Sequence, residues 1–192
     1  MTLLKDLIRK EIKEAGGQGK AIRDAEIWYI KAKRDSKDTT LVKTNERFKR
    51  GKIYMFKYVD PKTIKNMKSW DANPVVLSMG QDDHGNDIGI NLNFLPNQLR
   101  LKIMDKIMEA YAVNIKAAIR GRNKGNAKAQ AQVIGLYYNN LVRVLSRVGF
   151  NHSVRTYITG RKSEQYVLSY DSWPKVTYLN VAEINKGLKK WK

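Results

Sequence analysis

The chain has no cysteine, only two histidines and only four prolines, and its acids are few for its bases. The missing thiols exclude disulfides, zinc–thiolate centres and thiol nucleophiles. No run approaches the roughly 18 consecutive apolar residues that a bilayer span requires. The opening MTLLKDLIRKEIKEA alternates charged and apolar residues, unlike the unbroken apolar stretch of a secretory signal. The expectation is no membrane partner and a protein of a cytoplasm, or of a particle assembled there. Neither a phosphate-cradling P-loop nor a dinucleotide-binding glycine pattern occurs, so no cofactor is expected. Zinc-finger, basic-zipper and RNP-type aromatic signatures are also missing, which leaves sequence-specific reading of bases unsupported.

The acids are the most informative shortage. Eighteen Asp and Glu face 37 Lys and Arg, a net charge of +19 over 192 residues. Self-repulsion at that charge disfavours a compact state and points to a polyanionic partner, nucleic acid before an anionic membrane surface. From Ala110 to Ser163 there is not one Asp or Glu, yet the window holds Lys116, Arg120, Arg122, Lys124, Lys128, Arg143, Arg147, Arg155, Arg161 and Lys162. Its glycine-rich GRNKGNAK run suits a loop that lays Arg120, Arg122, Lys124 and Lys128 along a phosphate backbone, where guanidinium forks bind oxygens bidentately. Arg143 and Arg147 stand four apart, share a helix face, and repel each other unless an anion lies between them. These six are the candidate DNA-binding cations, with Lys49, Arg50 and Lys52 as a second patch. A solvated basic face is the plainer alternative, although such a face would normally include acids.

The rest of the chain is organised around Gly51–Arg100, which holds three of the four prolines and the best strand candidates. Apolar residues on both faces of 53–59 predict a strand buried on both sides. Val75–Met79 and Ile88–Asn93 read as an antiparallel hairpin joined by the turn cluster Asp82, Asp83, His84, Gly85, Asn86 and Asp87. Those acids are also ligand types for Mg²⁺, but Asp and Asn are expected in such a turn for backbone reasons, and the turn reading is preferred. Helical periodicity runs through Leu3–Ile12 up to Gly16-Gly17, through Lys20–Lys33, from Pro96-Asn97 to about Ile119, and over Ala127–Val148 with Gly149 as its stop. Ile22, Ala25, Ile27, Trp28, Tyr29 and Ala32 form one wide apolar face, so Trp28 and Tyr29 are expected in the core rather than stacked on bases. The run 34–50 reads as a polar connector, and strand chemistry resumes over 153–158, 165–168 and 173–179, before a short helix at 181–190.

The fold class expected is α+β, a small antiparallel sheet or partly open, barrel-like core with inserted helices and an N-terminal helical arm. Residues 1–48 would be the arm, and 49–192 the core with a basic helical insertion at about 97–149. His152 lacks an obvious Ser, Cys or Asp partner and suits a surface or capping role. No catalytic arrangement is expected.

Several stretches resemble a family of tailed-bacteriophage DNA end protectors from T-even-like phages. They are Ala25-Glu26-Ile27-Trp28-Tyr29, Gly51-Lys52-Ile53-Tyr54-Met55-Phe56-Lys57-Tyr58 with Asp60-Pro61-Lys62, and Trp70-Asp71 leading to Asn73-Pro74-Val75-Val76. The most specific is Gly89-Ile90-Asn91-Leu92-Asn93-Phe94-Leu95-Pro96 with Leu99-Arg100, and Val154-Arg155-Thr156-Tyr157 and Asp171-Ser172-Trp173 also fit. The resemblance covers roughly Ala25 to Ile184. It implies a non-enzymatic virion component that binds double-stranded DNA ends without sequence specificity and shields packaged termini. The alternative it leaves open is a structural head-completion, neck or baseplate part that binds a portal or tail protein.

Overall fold

A computed structural model describes residues 3–34, 41–59, 71–119 and 138–179. The periodic leading segment forms α1 (Leu3–Ala15) and, after the Gly16-Gly17 break, α2 (Gln18–Arg34). Six strands follow: β1 (Leu41–Lys43), β2 (Ile53–Tyr58), β3 (Val75–Gln81), β4 (Asp87–Asn91), β5 (Val154–Tyr157) and β6 (Lys162–Leu168). They make one antiparallel, open sheet in the order β1-β6-β2-β3-β4-β5. The long α3 (Asn97–Ile119) and then α4, described over 138–147, lie between β4 and β5 in the chain, and α5 (Trp173–Tyr178) follows β6. This is the expected α+β class with a sheet that does not close.

The sheet buries both faces. On one, Ile53, Met55, Val75, Leu77, Ile90, Tyr166 and Leu168 share a cluster with Leu4, Trp28, Tyr29, Ile103, Met104, Ile107, Leu145 and Trp173 from the helices. On the other, the alternate residues of β2 join Phe48, Val76 and Tyr157. Phe48 stacks on Tyr54 with centroids 4.4 Å apart, and Phe56 and Tyr58 meet Tyr157 edge-on at 5.1 and 5.2 Å. Period-two alternation with no polar face is therefore accounted for: β2 is central and covered twice.

Gly89 sits in β4 opposite Ser78, where a Cβ would stand 2.2 Å from Val76 Cγ1 and 2.8 Å from the Leu77 carbonyl oxygen. No rotamer change frees that space, because one obstacle is backbone. Gly89→Ala should destabilise by about 1–3 kcal/mol as an overpacked core position. Urea melts of the two proteins give the number, and a loss under about 0.5 kcal/mol would show that the strands part more easily than this geometry implies.

Three expectations are corrected. The polar connector contains a strand, β1, which is short but pairs with β6 through Leu41↔Leu168. The segment 173–179 is helical: Pro174 occupies the first helical turn, where its missing N–H costs nothing, and α5 ends on Leu179. On α2, Trp28 and Tyr29 are core as expected, but Ile27 of the anticipated apolar face is 50% exposed, with Ile30 near it at 45%. The anticipated helix at 181–190 lies outside the described residues.

Candidate nucleic-acid interface

α4 turns Tyr138 and Leu145 into the core and leaves Asn139, Asn140, Arg143, Ser146 and Arg147 exposed. Arg143 and Arg147 lie one turn apart on that outer side, and among the described residues no carboxylate pairs with either. The outer side therefore offers two guanidinium forks, two amides and a hydroxyl beside Val144, which is 46% exposed, and no acid. Such a set donates to phosphate oxygens without repelling them. The helix ends as its sequence predicts: Gly149 takes φ +80°, Phe150 N donates to Leu145 O at 2.7 Å, and both apolar partners join the core.

The second patch sits on the segment from Thr44 to Lys52, which is knitted to the sheet. Thr44 N donates to Gln165 O, Gly51 N to Ser78 O, and Ser78 N to Lys52 O. Phe48 N donates to Asp87 Oδ1 at 3.2 Å, and Phe48 O accepts from Gln81 Nε2 at 2.7 Å. Asp87 is wholly buried and pairs with the nearly buried Lys162, whose ammonium also lies 4.4 Å from the Phe48 ring centroid. Arg47, Lys49 and Arg50 point outward from this anchored loop. Lys49 pairs with exposed Glu46 at 2.5 Å, Arg50 lies against Gly80, and Lys52 stands 4.8 Å over the Tyr170 ring. An exposed pair such as Lys49–Glu46 contributes little in water and yields readily to a phosphate.

Two of the six acid-free-window candidates, Arg143 and Arg147, are thus described and exposed. Arg120, Arg122, Lys124 and Lys128 lie outside the described residues. Sequence reasoning did not single out Asn139, Asn140 and Ser146. Their spacing beside Arg143 and Arg147 was the available signal, masked by the stronger one from charge. Arg47, in the same run but outside the sequence-based candidates, reaches toward the β3–β4 turn.

The acids near the hairpin have structural work. Asp82 accepts from His84 N at 3.0 Å and Asn86 N at 2.7 Å, the side-chain-to-backbone bonds that make such turns tight. Asp71, just before β3, is a hub for amides. Its Oδ2 accepts from Asn93 Nδ2 at 2.7 Å and Asn91 Nδ2 at 3.1 Å, and its Oδ1 from Asn73 N at 3.0 Å. Tyr29 closes the network by donating to Asn73 O, and burial, then the neighbouring Asp71, pushes its pKa well above 10.0. This cluster ties α2 to the start of β3 and the end of β4.

The motif residues quoted for the resemblance are accounted for in the same way. Gly89 admits Val76, Asn91 caps the 3-10 turn Leu92–Phe94 by accepting from Asn93 N, and Arg100 is buried against backbone carbonyls. Among the described residues no helix is long and apolar enough to cross a membrane. The family model described as phage T4 terminal DNA protecting protein matches residues 2–136, and the chain belongs to that family. No curated protein and no solved structure matches the chain.

Proposed function

We propose that this member of the terminal-DNA-protecting family binds double-stranded DNA through its phosphates, without regard to sequence, and occupies the termini of a packaged genome within the virion. The observation that carries the reading is the outer side of α4, where Arg143 and Arg147 stand exposed and have no carboxylate partner among the described residues. It lies in the acid-free window, so Arg120, Arg122, Lys124 and Lys128 extend the same chemistry. Lys49, Arg50 and Lys52 supply the second contact on their anchored loop. Backbone contact suits a protein that accepts whatever sequence an end presents, and the action is protection by occupancy, with no catalytic step.

The test is binding to one linear duplex and its closed circular form across a salt series, followed by exonuclease challenge of the linear form. Tighter binding to the linear form together with protection is the expected result. The double variant Arg143→Ala/Arg147→Ala should weaken binding on all sequences alike and flatten the salt slope by about 2, since each phosphate contact contributes close to 0.9. A slope identical to that of the unaltered protein would remove α4 from the interface.

A second reading is favoured by Ile27 and Ile30, which expose apolar surface one turn apart on α2. Surface of that kind suits a protein contact better than DNA, as in a head-completion part seated on a portal, neck or tail protein. Weak binding to both DNA forms together with capture of such a ring would replace the first reading with this one.

A further inference from the structure

The chain leaving α4 ends in rings. Phe150 is half-buried, His152 is exposed, and their centroids lie 5.8 Å apart at a 40° tilt. Phe94, almost fully buried, meets the His152 imidazole edge-on at 5.9 Å, and the Arg155 guanidinium lies 5.2 Å over Phe94. The backbone carrying this group is fixed. Residues Asn151–Ser153 form a 3-10 turn, Ser153 N and Oγ both donate to Phe150 O, and Val154 N returns to Asn151 O. His152 therefore presents an aromatic ring with its backbone already ordered, within five residues and about 18 Å of Arg147 along the chain. Val148, between them, is 50% exposed.

Contacts to internal phosphodiesters do not distinguish the neighbourhood of an end from the middle of a duplex, because those groups repeat unchanged along the backbone. Besides its terminal phosphate or hydroxyl groups, an end has what the interior lacks, the uncovered face of a terminal base pair. Reaching an interior face requires unstacking at a cost of a few kcal/mol, whereas a terminal face is available at once. A ring held rigidly beside cations suits that face, since base–aromatic stacking tolerates every base.

Resting on the reading above, we infer that His152, backed by Phe150 and Phe94, stacks on the terminal base pair of duplex DNA and gives the protein its preference for ends. Arg143 and Arg147 supply affinity for any duplex, and the ring supplies discrimination.

The experiment compares a covalently closed minicircle with the same DNA opened by one blunt cut, and reads the ratio of the two affinities by fluorescence anisotropy. His152→Ala should bring the open-to-closed ratio down toward one, a fall of roughly 5- to 150-fold where the wild-type preference is that large. His152→Trp should restore the ratio and His152→Lys should not, which separates a ring from a charge. Because position 152 is exposed, these variants should fold as the parent does, and matching thermal melts check it. A ratio kept by His152→Ala, or restored by His152→Lys, overturns the inference while leaving end protection intact. A wild-type ratio of one overturns the preference for ends itself, and the inference with it.

Discussion

Replacing Arg100 with Met is expected to destabilise the protein by about 3–5 kcal/mol, although the residue is closed off from solvent and pairs with no acid among the described residues. Arg100 is 0% exposed on the first turn of α3. Its Nε donates to Leu95 O at 2.8 Å, its Nη1 to Val176 O at 2.8 Å and its Nη2 to Leu179 O at 2.6 Å. Two of those carbonyls belong to the end of α5, where helix geometry leaves Leu179 O without a helical partner and Val176 O with a long bond from Leu179 N at 3.4 Å. Burial pulls the Arg100 pKa down to about 10, with Tyr29 opposing, so the guanidinium stays charged at neutral pH. Three carbonyl dipoles do the work a carboxylate would otherwise do.

Methionine would fill much of the volume but remove the Arg100 donors from Leu95 O and Leu179 O, and leave Val176 O with only its 3.4 Å bond from Leu179 N. Each orphaned acceptor costs about 1–3 kcal/mol, less than additively, and the loss of a buried charge from its partners falls in the same range. Arg100→Lys should recover only part, because an ammonium on a flexible stem lacks the planar fork that spans carbonyls from two segments. A chain of this length should lose roughly 6–20 °C in Tm. The local signature is faster amide exchange over 173–179 than elsewhere. A loss below about 1 kcal/mol, or uniform exchange, would mean that α5 is held by Trp173 and Val176 packing alone.

How much of this was legible in the sequence depends on how local the determining contacts are. The helices α1, α2 and α3, the strand β2 and the β3–β4 hairpin are written in periodicity and turn residues a few positions apart. β1 is not: one buried residue in three carries no pattern, and its partner β6 comes far along the chain. α5 contains Val176, Thr177 and Tyr178, residues that favour strands, and reads as one until Arg100 is known to hold its end. Ile27 and Ile30 belong to the apolar periodicity of α2 yet face outward, which period alone does not decide. The family match stops at residue 136, but β6 lies between β1 and β2, so the sheet is completed by chain beyond the matched stretch. Of the candidate interface, the acid-free window was plain from counting. The ring at His152 was not, because Phe94 comes from a distant segment.

Asp87 shows the same limit and carries the second large expectation. In the sequence it is one of several acids in a turn cluster, and its partner Lys162 lies 75 residues on. In the fold Asp87 accepts from Lys162, Phe48 N and Gln81, while Lys162 also donates to Gln165 Oε1 at 2.6 Å. Asp87→Ala should destabilise by about 3–5 kcal/mol, because it strands a buried ammonium with one amide oxygen and two ring faces. Lys162→Met should cost less, since Asp87 keeps the Phe48 and Gln81 donors. The double change Asp87→Asn/Lys162→Met should come back to within about 1 kcal/mol of the parent, because an uncharged pair of similar volume avoids the desolvation that makes buried ion pairs nearly neutral in net stability. The coupling, read from urea melts of the cycle closed by the single changes Asp87→Asn and Lys162→Met, is therefore large even though the pair as a whole contributes little. What the pair fixes is where Phe48 docks, and with it the orientation of Arg47, Lys49 and Arg50. Amide exchange at 46–52 should accordingly quicken in Asp87→Ala. A coupling energy near zero would show the loop to be held by the Phe48–Tyr54 stack, with the ion pair incidental to the cationic surface it underlies.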